Sequence, residues 1–151
     1  MNSNAVVILH LSSLDAYAHA YGLDEAEALT DRMRDVVLNH AGPVYIVDQR
    51  WPLARPWSNP RNRFVQEVQL AREIEWIWWN DSMKAWEDFL RGFANRLKTD
   101  GVRLAFLGGV WYDPGGSSGC VVEGLNILGK RLTVRVDGRI VGCIPRQESL
   151  R

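Results

Sequence analysis

Residues 5–11 are Ala5-Val6-Val7-Ile8-Leu9-His10-Leu11, an apolar run rich in β-branched side chains. Such a run is typical of a strand buried on both faces, as in a parallel sheet. Two further runs of this kind occur at Val44–Val47 and Val102–Leu107. The segment Ile74–Trp79 fits either a helix or a strand, and its aromatic and β-branched content favours a strand. The sequence therefore predicts at least three, and with this segment four, buried strands.

Helical patterns separate these strands. Apolar residues share one helical face from Leu23 to Val37, and again from Met83 to Leu97. Strands that alternate with helices predict an α/β fold, a three-layer α/β/α domain with a mainly parallel sheet of five or six strands. Asp137-Gly138 lies between two short apolar runs and predicts a C-terminal β-hairpin at the sheet edge. We interpret residues 1–151 as a single domain.

Composition limits the classes of function. The chain has 151 residues, 46% of them hydrophobic, and its 18 basic residues balance 18 acidic ones. A neutral chain argues against broad electrostatic binding of nucleic acid. We predict no signal peptide, no membrane association and a cytoplasmic location. Cys120 and Cys143 lack the spacing of a metal site, so no metal and no cofactor is predicted.

Polar residues cluster after the predicted strands. In open α/β sheets, ligands bind beyond the carboxyl ends of the strands, near the point where the strand order reverses. We therefore take residues at those ends as candidates for binding a small-molecule ligand. They are Asp48 and Arg50 after the second strand, and Gly109, Trp111, Tyr112 and Gly119 after the strand that ends at Leu107.

Cys120 follows a glycine-rich connection, Gly108 to Gly119, and is predicted to begin a helix that extends to about Leu128. A helix N-terminus favours negative charge and would lower the pKa of the thiol, as a cysteine nucleophile needs. The same position suits a bound anion without covalent chemistry. A third interpretation is that Cys120 is a small buried apolar residue. The sequence leaves these three interpretations open.

The order of elements resembles the isochorismatase-like cysteine hydrolases, a family that includes nicotinamidases. The motifs that carry this likeness are Val47–Pro52, Met83–Lys98, Asp100-Gly101-Val102, Leu107-Gly108-Gly109-Val110, Gly119-Cys120-Val121 and Thr133–Asp137. The resemblance implies hydrolysis of an amide or acyl substrate through a thioester on Cys120. The family uses an Asp after the first strand and a Lys after the third. At the position of the family's Asp, this chain has His10, with Asp15 further along the sequence. At the position of the family's Lys, it has Trp79 or Asn80.

The resemblance also implies that the first and fourth strands are neighbours, which would let His10 act as base to Cys120. The predicted catalytic residues are therefore Cys120, His10 and Asp15. The alternative function is a non-catalytic small-molecule-binding or protein-interaction domain that self-associates. The seven tryptophans favour a core or a subunit interface, where aromatic residues are enriched, and a stacking surface for nucleobases is the other interpretation. We accordingly predict a homo-oligomer.

Overall fold

The computed structural model describes residues 3–49, 60–113 and 119–142. Its strands are β1 (Asn4–Leu9), β2 (Val44–Asp48), β3 (Glu75–Trp78), β4 (Leu104–Gly109) and β5 (Thr133–Val141). Its α-helices are α1 (Leu14–Tyr21), α2 (Leu23–Asn39), α3 (Pro60–Val68), α4 (Trp86–Thr99) and α5 (Cys120–Leu128). Two 3-10 turns, Leu11–Ser13 and Trp79–Ser82, lead into α1 and towards α4.

The strands form one five-stranded sheet in the order β3-β2-β1-β4-β5. Every pairing in it is parallel, and β1 lies at the centre between β2 and β4. Within the ambiguous segment Ile74–Trp79, residues Glu75–Trp78 form β3, so the prediction of a strand is confirmed. The predicted α/β class and mainly parallel sheet are confirmed as well.

Helices cover both faces of the sheet. Along β1, Val6 and Ile8 pack with residues of α1, α2 and α3 on one face. Val7 and Leu9, which point the other way, pack with residues of α4 and α5. This alternation follows from the two-residue period of a strand and explains why β1 is apolar at successive positions. The predicted three-layer α/β/α architecture is confirmed.

The predicted hairpin at Asp137-Gly138 is wrong. β5 runs through this pair as one strand and stays parallel to β4. The register is irregular here, since β4 advances from Leu107 to Gly109 while β5 advances from Val136 to Val141. The Asp137 carboxylate accepts hydrogen bonds from both the backbone and the guanidinium of Arg139. The Asp-Gly pair therefore forms a bulge within an edge strand, not a reversal of the chain.

Within the three described segments, no helix combines the length and apolar character needed to cross a membrane.

Candidate functional site

The strand order reverses at β1, because the chain adds β2 and β3 on one side of it and β4 and β5 on the other. The carboxyl ends of β1 and β4 lie side by side, with Leu9 paired to Gly109. His10 follows β1 directly, and Val110 and Trp111 follow β4. This junction is where open α/β sheets bind ligands. We call it the carboxyl-edge site.

His10 leaves β1 with an unusual backbone. Its φ of 54° and ψ of 54° lie in the left-handed region, which residues other than glycine rarely adopt. Its amide donates a 2.7 Å hydrogen bond to the carbonyl of Val47 at the end of β2. The bond fixes the turn from β1 into the first 3-10 helix. Strained backbone of this kind is concentrated at functional sites.

The His10 ring lies against two tryptophans. Its centroid is 4.4 Å from the Trp86 ring and 5.9 Å from the Trp79 ring. The two indoles meet edge to face, with centroids 5.1 Å apart. Trp79 follows β3 as the first residue of the second 3-10 turn and Trp86 begins α4, so both lie at the same edge of the sheet. The three residues are each half-buried.

Two buried ring nitrogens at this site have no hydrogen-bond partner among the described residues. They are Nε2 of His10 and Nε1 of Trp86. The other indole is satisfied, because Nε1 of Trp79 donates to the carbonyl of Lys84 at 3.1 Å. Buried polar groups in native proteins are nearly always paired, so each exception needs an explanation.

Burial lowers the pKa of His10 below its ordinary value of 6.5, and the nearby Asp48 carboxylate opposes that shift. The imidazole is therefore neutral at neutral pH. A neutral imidazole offers one donor and one acceptor, whereas the indole N–H is a donor. The site thus presents an unpaired donor, Nε1 of Trp86, and beside it Nε2 of His10, which donates or accepts a hydrogen bond depending on the tautomer.

Asp48 is fully buried at the end of β2. Its carboxylate accepts hydrogen bonds from the backbone amides of Ser12, at 3.0 Å, and Gln49, at 2.8 Å. It also pairs with the Arg61 guanidinium at 3.0 Å. These bonds connect the ends of β1 and β2 to α3. They use much of the hydrogen-bonding capacity of the carboxylate, so Asp48 supports the site more than it contacts a ligand.

Cys120 begins α5 as predicted, and the residue is buried, with 8% of its surface exposed. Sγ contacts the Trp111 carbonyl at 3.8 Å. Burial raises the pKa of Cys120 to about 11, and the hydrogen bonds from its surroundings lower it less. Of the three interpretations of Cys120, the small buried residue agrees best with this environment, because desolvation of the thiolate outweighs the effect of the helix N-terminus on the pKa. Cys120 is a neutral, buried thiol at neutral pH.

The remaining candidates take different places. Asp15 is half-buried in the first turn of α1. Gly109 sits where a Cβ would lie 2.8 Å from both the Leu9 carbonyl and Val121. Tyr112 packs against the core beside α4 and α5, and Gly119 precedes α5 with φ 102°. Arg50 lies outside the described residues.

The structure brings His10 close to Asp48 and Cys120 close to Trp111. In the described part of the chain, no hydrogen bond joins His10 to Cys120. The sequence has Trp79 or Asn80 where the resembling family has its lysine, but neither Trp79 nor Trp86 is among the predicted site residues. Their positions could have indicated a place in the site, because Trp79 follows a strand and Trp86 begins a helix at the same edge of the sheet.

Across residues 3–49, 60–113 and 119–142, no group of three or more His, Cys, Asp or Glu side chains has the geometry to hold a metal ion. Comparison of the chain with protein-family models, with curated proteins and with solved structures gives no match.

Proposed function

We propose that this chain is a small-molecule-binding domain whose ligand occupies the carboxyl-edge site, against His10, Trp79 and Trp86. The observation that carries the proposal is the buried Nε2 of His10, which has no hydrogen-bond partner in the described residues. Leaving a buried polar group unpaired costs about 1–3 kcal/mol. A bound ligand that pairs with Nε2 would remove this cost.

The chemistry of the lining indicates the kind of ligand. Two indoles and an imidazole offer aromatic faces and edges, which favour a planar ring. The unpaired Nε1–H of Trp86 requires an acceptor. A neutral His10 either accepts or donates, depending on its tautomer. We therefore propose a planar, uncharged ligand whose edge carries a carbonyl or ring nitrogen.

Cysteine-dependent hydrolysis in an isochorismatase-like family stays a prediction. The order of elements supports it, and so does the adjacency of β1 and β4. The environment of Cys120 opposes it, because a thiol with a pKa of about 11 is almost entirely protonated at neutral pH. We therefore favour binding without covalent chemistry.

The test is a titration with benzamide and with adenine, followed by the side-chain ¹⁵N resonances of His10 in the unaltered protein and by backbone amide shifts in every protein compared. We expect saturable shifts at His10, and an affinity about tenfold weaker in His10→Phe, which keeps a ring but removes Nε2. Cyclohexanecarboxamide, which has the same amide on a non-planar ring, should bind more weakly than benzamide. His19→Phe is the matched control, because His19 is exposed on α1.

Two results contradict the proposal. One is the absence of a saturable His10 shift with either planar compound. The other is an equal affinity of His10→Phe and the unaltered protein.

A second candidate function, self-association, is favoured by the edge of the sheet at β3. In the described residues, β3 pairs with β2 on one side, and its Trp76 and Trp78 rings stack with centroids 5.7 Å apart. Leu70 before it is 91% exposed and Met83 after it is 94% exposed. Exposed apolar residues beside an edge strand are typical of an interaction surface.

Sedimentation of a Leu70→Ser/Met83→Ser variant tests this candidate. We expect it to shift any oligomer towards monomer, whereas Leu23→Ser, a half-exposed leucine on α2, should not. An unchanged distribution, or a monomeric starting protein, contradicts self-association.

A further inference from the structure

A short turn between β3 and α4 carries Trp79 at its start and Lys84 at its end. Its first part, Trp79–Ser82, is the second 3-10 turn. Met83 follows with φ 56°, in the left-handed region that residues other than glycine rarely adopt. The Met83 side chain is 94% exposed, so its packing does not account for this backbone conformation. We call residues 79–84 the Trp79 turn.

Ser82 joins the two ends of the Trp79 turn. Its hydroxyl donates a 2.6 Å hydrogen bond to the carbonyl of Trp79 and accepts one of 3.2 Å from the amide of Lys84. The carbonyl of Lys84 in turn accepts a 3.1 Å hydrogen bond from Nε1 of Trp79. The three bonds therefore connect the backbone of the turn to the indole that it carries, and they restrict the orientation of that indole.

The orientation that these bonds hold is the one that faces the carboxyl-edge site. The Trp79 ring centroid lies 5.9 Å from that of His10 and 5.1 Å from that of Trp86. Nε1 of Trp79 is used by Lys84, whereas Nε1 of Trp86 has no partner among the described residues. The two indoles thus differ in what they offer a ligand, because Trp79 presents its ring carbons and Trp86 also has an N–H to donate.

We propose that Ser82 is a positioning residue of the carboxyl-edge site, which holds the Trp79 turn closed and so fixes the Trp79 indole as an aromatic wall for the ligand. This inference rests on the proposed function and separates the roles of the two tryptophans. Ser82 acts through Trp79 and does not contact the ligand itself. An indole that is ordered before binding spares the ligand the entropy cost of ordering it.

The first test needs no ligand and follows the ¹H–¹⁵N resonance of the Trp79 indole, which Trp79→Phe assigns by its loss. In Ser82→Ala we expect this resonance to move towards that of a water-exposed indole and its hydrogen exchange to become faster, because the bond to Lys84 is weakened. Ser82→Thr, which keeps the hydroxyl, should restore both. Ser13→Ala is the matched control, because the Ser13 side chain makes no capping hydrogen bond to α1 within the described segments.

The second test is the affinity for benzamide, measured by backbone amide shifts of the full chain. We expect the affinity to fall about threefold in Ser82→Ala and to be regained in Ser82→Thr. In a Trp79→Ala background, Ser82→Ala should leave the affinity unchanged, because the ring that Ser82 positions is gone. A residue with only a general structural role would weaken binding equally in both backgrounds.

Two results would overturn the proposal. One is an unchanged Trp79 indole resonance in Ser82→Ala, and the other is an equal loss of affinity in the two backgrounds. If benzamide does not bind the unaltered protein, the proposed function fails in that respect, whereas the indole resonance still decides whether Ser82 positions Trp79. If Ser82→Ala does not fold, Trp79→Phe keeps a ring without the bond to Lys84 and should bind benzamide about threefold more weakly, so equal binding by that variant overturns the proposal.

Discussion

The ring centroids of His10 and Trp86 lie 4.4 Å apart, and each ring carries a buried nitrogen without a hydrogen-bond partner in the described residues. The two rings come from different parts of the chain, one from the exit of β1 and the other from the start of α4. A fold that gains only stability from this contact would use two apolar rings. Under the proposed function, the unpaired nitrogens lower the stability of the free protein and are available to a bound ligand.

His10→Phe should increase the free energy of unfolding by about 1 kcal/mol at pH 7.5. Phenylalanine keeps a ring in contact with Trp86 and removes the buried, unpaired Nε2. The gain is reduced because phenylalanine is less favourable than histidine at a positive φ. Urea unfolding measures the change, and His19→Phe, at an exposed position, should stay within about 0.5 kcal/mol of the unaltered protein. A loss of more than about 1 kcal/mol in His10→Phe would contradict the premise that Nε2 is unsatisfied.

The pH dependence of stability should also differ between the unaltered protein and His10→Phe. Because the pKa of His10 is lowered in the folded state, the unfolded state takes up this proton at higher pH than the folded state does. A neutral His10 therefore contributes to stability above pH 6.5, the ordinary pKa of histidine. This contribution is lost as the pH falls through and below that value.

The measurement is the free energy of unfolding of both proteins between about pH 8 and pH 5. We expect the unaltered protein to lose more stability than His10→Phe over this interval. Because His19 and His40 are present in both proteins, their contributions largely cancel. Parallel curves would show that His10 titrates alike in the folded and unfolded states.

Much of the fold could be predicted because its signals are local. The apolar run at β1 and the apolar face of α4 each reveal an element without knowledge of its neighbours. The helix α1 was not predicted, since it has eight residues and buries two, Leu14 and Tyr17, too few to establish a period. The bulge at Asp137-Gly138 was predicted as a hairpin because the direction of β5 is set by its pairing with β4, which the dipeptide does not encode.

The site was predictable in its location and less so in its chemistry. His10 and Asp48 could be assigned to the sheet edge because both follow apolar strands. The burial of Cys120 depends on residues outside its helix, including Trp111 and the core beside α4, so its position at a helix N-terminus could not decide among the three interpretations. Trp79 and Trp86 could not be distinguished from core residues, because the orientations of their side chains depend on where β3 ends and α4 begins.

Cys120 should react slowly with iodoacetamide at neutral pH. Burial raises the pKa of its thiol to about 11, so the thiolate fraction at pH 7.5 is far below that of an ordinary cysteine. In a Cys143→Ser background, which isolates Cys120, the rate should rise about tenfold per pH unit up to about pH 10. Mass spectrometry of the native protein measures it, with the urea-unfolded protein as the reference. Fast labelling that levels off below about pH 8 would restore the nucleophile interpretation.

Gly109→Ala should lower the free energy of unfolding by about 1–3 kcal/mol. The added Cβ would lie 2.8 Å from the Leu9 carbonyl and 2.8 Å from Cγ2 of Val121, so β1, β4 or α5 must move. Gly92→Ala is the matched control, because Gly92 lies in α4 with no atom within 4 Å of the added Cβ. It should stabilise the protein by about 0.5–1 kcal/mol through helix propensity. Thermal and urea unfolding of the two variants measure the difference. An unchanged free energy of unfolding in Gly109→Ala would show that the junction of β1 and β4, which forms the carboxyl-edge site, is more loosely packed than these distances indicate.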